Sequence, residues 1–119
     1  MLKNFEKKAI ELLTNGLLTA DDLYTVYREA GPIDIQHTGA GYFLTIRHPR
    51  FLRERSVCSE PVVIGEIPGL MVGFIVFIEN GELMLECHDW GSGGVPENVR
   101  ETEVLVSPAR IENGKIVRI

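Results

Sequence analysis

The sequence predicts an α+β fold: two N-terminal helices packed on a largely antiparallel sheet of about six strands that contains two Asn-Gly hairpins. Three observations carry this reading. Helical periodicity fills residues 1–31 and stops at Gly31-Pro32. From Ile33 onward, short apolar runs alternate with Gly, Pro and Asn. The turn Ile-Glu-Asn-Gly occurs twice, at Ile78–Gly81 and at Ile111–Gly114. Asn-Gly supplies both positive φ angles of a type I′ turn. There is no βαβ alternation, which argues against a Rossmann-type fold.

The first helix is expected over Leu2–Asn15. Leu2, Phe5, Ala9, Leu12 and Leu13 form one stripe, with Ile10 at its edge. Gly16 suits the left-handed residue that ends a helix. The second helix starts at Thr19, whose spacing to Asp22 is that of a capping box with Asp in the Glu/Gln position. Leu23, Val26, Tyr27 and Ala30 give it an apolar face. Strands are then expected at Ile33–Gln36, Tyr42–Arg47, Pro61–Glu66, Leu70–Glu79 and Glu82–Trp90, and the segments Glu103–Val106 and Ala109–Arg118 finish the sheet. Residues 48–55 read as a charged loop and 91–98 as a Gly-rich one. The reading is a single domain over 1–119, with a helical hairpin at 1–31 and a sheet at 33–119.

Composition narrows the function. With 119 residues, 45% apolar and 24% charged, the chain has an ordinary globular balance. Its net charge of −5 is repelled by a phosphate backbone, which disfavours nucleic acid as a partner. The longest mostly apolar run, Ile67–Ile78, contains Pro68, Gly69 and Gly73 and falls short of the roughly 20 residues of a membrane span. Met1–Lys8 has no apolar run behind it, so no signal peptide is expected. The two cysteines, Cys58 and Cys87, are too few for a disulfide scaffold. A cytoplasmic chain with reduced thiols is expected.

A two-residue turn at Asn80-Gly81 fixes the pairing of its arms. Phe74, Val76, Ile78, Leu83, Leu85 and Cys87 share one face, which is uniformly apolar and should meet the helices. Ile75, Phe77, Met84, Glu86 and His88 share the other. A solvated sheet face is normally polar, so Ile75, Phe77 and Met84 need a cover. The C-terminal hairpin, curvature of the sheet or a second subunit would each provide one. A homodimer through Ile75, Phe77 and Met84 is the favoured reading, and burial within the chain is the alternative.

Several residues invite chemistry. Cys87-His88-Asp89 resembles a nucleophile, base and orienter in a row. Neighbours on a strand point to opposite faces, so Cys87 and His88 cannot form a dyad, and both cysteines read as structural. Glu86 and His88 do share a face and lead to Trp90 beside the Gly-rich loop. A carboxylate and an imidazole there suit acid–base work or a small ligand. Arg47, His48, Arg50, Arg53 and Arg55 concentrate positive charge in an acidic chain, as an anion site or a contact for an acidic partner would. The bland reading of that segment is a solvated loop. His37, His48 and His88 lack metal-ligand spacing, so no metal and no cofactor are expected. Gly91-Ser92-Gly93-Gly94 lacks the helix and lysine of a phosphate loop, and it is not a nucleophile elbow. No catalytic residue is assigned.

Asn4-Phe5-Glu6-Lys7-Lys8, Gly39-Ala40-Gly41-Tyr42-Phe43, Gly73–Ile78, Gly81-Glu82-Leu83 and Leu85-Glu86 together resemble a family of small uncharacterised bacterial proteins. Trp90 and Pro96-Glu97-Asn98 fit its ending loosely. The resemblance implies a fold and no function, although some small bacterial proteins of this style act as immunity proteins. The expectation is a non-enzymatic protein-binding module, immunity-like in style and homodimeric. The alternative is a small-molecule-binding protein or minor enzyme with a pocket near Glu86, His88 and Trp90.

Overall fold

A computed structural model describes residues 1–51, 54–91 and 93–119. Helix α1 (Asn4–Leu13) and helix α2 (Ala20–Glu29) precede seven strands. These are β1 (Pro32–His37), β2 (Gly41–Arg47), β3 (Ser56–Ile67), β4 (Leu70–Glu79), β5 (Glu82–Asp89), β6 (Leu105–Glu112) and β7 (Lys115–Arg118). They form one sheet in the order β1-β2-β5-β4-β3-β6-β7, and every pairing is antiparallel. The fold is therefore α+β, with seven strands where about six were expected. The last expected strand, Ala109–Arg118, divides at Asn113-Gly114 into parts of β6 and β7, which pair as Glu112 with Lys115.

β3 also starts earlier than expected, at Ser56 instead of Pro61. Pro61 was expected to open the strand, and it has no N–H to give a ladder. Here it falls in an irregular stretch between Cys58 and Val63, where extra β3 residues are absorbed against β4.

α1 is about a turn shorter than the expected Leu2–Asn15 and lies against β3, β4 and β6. Its Phe5 ring meets Phe74 at 6.2 Å between centroids. α2 opens with a reciprocal cap: Thr19 N–H donates to Asp22 Oδ2 and Asp22 N–H to Thr19 Oγ1, each at 3.0 Å. Among the described residues, no helix is long and apolar enough to cross a membrane.

β4 and β5 pair from Glu79–Glu82 through Phe77–Met84 and Ile75–Glu86 to Gly73–His88. Asn80 and Gly81 between them have φ of +51° and +78°, and a single-residue slip would exchange the two faces. Phe74, Val76, Ile78, Leu83, Leu85 and Cys87 are all buried in the main core with α1. Ile75, Phe77 and Met84 are only half buried. The C-terminal hairpin does not cover them within the chain, because it extends the sheet sideways as its outermost strands.

Candidate functional site

The open face takes its shape from one connection. The chain leaves β2, passes the β4–β5 turn, where His48 N–H donates to the Gly81 carbonyl at 2.9 Å, and returns as β3 on the far side. Arg47 and Arg55 consequently flank the hairpin. Arg47 donates to Glu82 at 2.6 Å, and Arg55 lies 3.6 Å from Glu79 with its guanidinium over the Phe77 ring. Glu79 and Glu82 stand directly opposite each other. Like charges in that position repel, and the two arginines compensate them.

Above these residues lies a groove of about 460 Å³, lined by Phe43, Phe77, Met84, Glu82, Glu86 and Arg55 among others. Glu86 stands between Phe43 on β2 and Ile75 on β4. It is half buried and, among the described residues, makes no hydrogen bond or ion pair.

At the other end of the same face, His88 is paired with glycine on both sides, Gly41 and Gly73. A Cβ on Gly73 would sit 2.4 Å from the Trp90 ring and 2.5 Å from His88 Nε2. The glycine thus lets both rings lie flat on the sheet, with centroids 5.6 Å apart. His88 Nδ1 is buried without a hydrogen-bond partner among the described residues. A shallow depression of about 400 Å³ is lined by His88, Asp89, Trp90 and Gly91. The expected trio is therefore divided: His88 and Trp90 stack together, and Glu86 lines the neighbouring groove.

The basic segment is distributed over several carboxylates. His48 is buried, its Nε2 2.8 Å from Glu29 of α2, while its Nδ1 accepts the Arg50 N–H at 3.0 Å. Arg50 donates to Asp22 of α2 at 2.8 Å. With Arg47 and Arg55 paired as above, the segment is a clamp between α2 and the hairpin end, and an anion binding there would have to displace these carboxylates. The expected Arg53 lies outside the described residues, as does Ser92.

The Gly-rich loop is occupied by its own chain, since Asp89 Oδ2 accepts the Gly93 and Gly94 N–H groups at 3.0 and 2.9 Å. Those amides are what an anion would need. Cys87 faces the core, where burial, then the Glu6 and Glu86 charges, push its thiol up to about 12. Burial also raises Cys58. Neither is primed as a nucleophile. Among the described residues, no three His, Cys, Asp or Glu side chains gather as metal ligands.

The sequence reading missed one polar cluster. Glu6 on α1 is completely buried and accepts from Tyr42 Oη at 2.5 Å, from Arg100 Nε and Nη2 at 2.8 and 2.9 Å, and from Lys3 N–H at 2.8 Å. Burial, followed by the Glu6 charge, raises the Tyr42 phenol, and the Glu6 hydrogen bond raises Arg100. A signal existed: Glu6 occupies a core position of the stripe, four residues after Leu2 and three before Ala9. Arg100, 94 residues away, left none.

Compared with family models, curated proteins and solved structures, the chain matches none. The likeness to small bacterial proteins thus rests on its short motifs alone.

Proposed function

We propose that this chain is a non-enzymatic interaction module that docks a protein on the open face of its sheet. One observation carries the reading: at the hairpin end of that face Phe43, Ile75, Phe77 and Met84 are only half buried, and Val57 is exposed. Contiguous apolar surface of this kind marks docking sites. The charged rim of Arg47, Glu82, Glu79 and Arg55 suits the polar border of an interface. Cys87 and His88 facing apart, with a protonated thiol, weigh against a nucleophilic enzyme.

Methionine-oxidation footprinting tests this without knowledge of the partner. Met84 lies in the groove, and Met1 is 97% exposed, which makes it an internal reference. Relative to Met1, Met84 is expected to oxidise several-fold more slowly in intact cells than in dilute purified protein. Equal relative rates would remove the docking reading.

A second reading has its own observation, the unpartnered His88 Nδ1 beside Trp90. It places a small planar ligand on that ring pair. Native mass spectrometry of protein from cells should then detect a retained small molecule that His88→Ala loses without unfolding.

A further inference from the structure

Resting on the docking-face reading, we propose that the occupant of the open face is a second copy of this chain, whose β6–β7 hairpin lies over the groove of the first. The pairings define one row of side chains across this face. Phe43, Glu86 and Ile75 face one another on β2, β5 and β4. Past the irregular step in β3, Val62, Ala109 and Arg118 continue the row on β3, β6 and β7. An acid without a partner among the described residues thus stands in one half of the sheet, and an arginine stands level with it at the far edge.

The apolar residues match in the same way. Ile111 and Ile116 pair on this face one step nearer the hairpin end, and Ile111 is 57% exposed. One step nearer that end in the other half lie Thr45, Met84 and Phe77. A two-fold axis parallel to the strands, passing near β3, exchanges the two halves of the sheet. It brings Arg118 of each copy over Glu86 of the other, Ile116 over Met84 and Ile111 over Phe77. Two open sheet faces packed with nearly aligned strands form an ordinary sandwich, and the contact is the same in both directions, as a two-fold interface requires.

The charges agree with this exchange. The groove carries Glu79, Glu82 and Glu86, with Arg47 and Arg55 already engaged by Glu82 and Glu79. On the β6–β7 hairpin Arg118 faces this side, whereas Arg110, Glu112 and Lys115 alternate onto the opposite one. Among the described residues Arg118 pairs with Glu66, in an exposed pair that a second acceptor at Glu86 can share.

Sedimentation equilibrium on the full chain tests the arrangement through reciprocal charge reversals. Wild type is expected at twice 13.3 kDa at micromolar concentration. Glu86→Lys and Arg118→Glu are each expected to weaken the dimer about tenfold or more, because like charges then meet across the interface. An equimolar mixture of the two variants should restore it, since each reversed groove meets a reversed hairpin. Glu66→Gln, which removes the internal partner of Arg118, should dimerise like wild type. If Glu86→Lys fails to fold by circular dichroism, Glu86→Gln takes its place, and combining it with Arg118→Gln in one chain should weaken the dimer no more than either change alone. A folded pair that stays monomeric when mixed overturns the proposal, and so does loss of the dimer in Glu66→Gln. Wild type that is monomeric while Met84 is protected in cells also overturns it but leaves the docking face with a different partner. A monomer with Met84 unprotected removes both.

Discussion

The two faces of the β4–β5 hairpin differ by a single residue of register and obey different rules. On the helix-covered face Phe74, Val76, Ile78, Leu83, Leu85 and Cys87 are buried, and the buried acid on that side, Glu6, has all its acceptor capacity engaged by Tyr42, Arg100 and Lys3. On the open face Phe77 and Met84 are half buried, Glu79 and Glu82 confront each other, and Glu86 has no partner among the described residues. A buried charge must be paired or the chain does not fold. A half-solvated one is under no such demand. The covered face is therefore explained by folding, and the half-buried apolar residues of the open face are what the proposed docking would cover.

The largest expected effect breaks the covered side. Glu6→Ala strands the Arg100 guanidinium and the buried Tyr42 hydroxyl, and should cost about 3–5 kcal/mol in denaturant unfolding. A loss near zero would mean that water replaces the carboxylate and that this cluster is not a structural pin. Next comes a direct comparison of neighbours on opposite faces. Leu85 is fully buried, so Leu85→Ala should cost about 2–5 kcal/mol. Met84→Ala in dilute monomer should cost under about 1 kcal/mol. Equal losses would show that the open face is already part of a core.

Much of this contrast was legible in the sequence. Asn80-Gly81 set the register, and the register assigned Phe74 through Cys87 to one face and Ile75 through His88 to the other. The Thr19–Asp22 spacing marked the start of α2. These are local signals, carried by residues a few positions apart. What escaped depends on strand order. Nothing local says that β3 lies beyond β4, so the pairing of Arg47 and Arg55 on either side of Glu82 and Glu79 was not foreseen, and the basic segment read as free charge. The meeting of Glu6 with Arg100 and the separation of Glu86 from the His88–Trp90 stack were hidden for the same reason.

The smallest effect concerns the clamp that joins the two sides. Asp22 and Glu29 of α2 hold Arg50 and His48, which belong to the segment that sends Arg47 and Arg55 to the open face. The Asp22 carboxyl is held below its ordinary value by the Thr19 backbone N–H and then by Arg50, and Glu29 is lowered mainly by its hydrogen bond to His48. A carboxyl depressed on folding binds its proton more weakly in the native state. Its contribution is therefore complete above the unfolded value, near 4, and fades as pH falls through the lower folded one. Both groups face solvent, so the effect is modest. Hydrogen exchange, corrected for intrinsic rates, should show α2 equally protected at pH 7 and pH 5 and less protected below about pH 4, with β4 and β5 unchanged. Loosening of α2 already between pH 7 and 5 would show that the Asp22 and Glu29 carboxylates do not govern the clamp. If acid releases α2 and leaves the proposed dimer intact, the two faces are energetically independent. If both are lost together, the segment from Arg47 to Arg55 couples them.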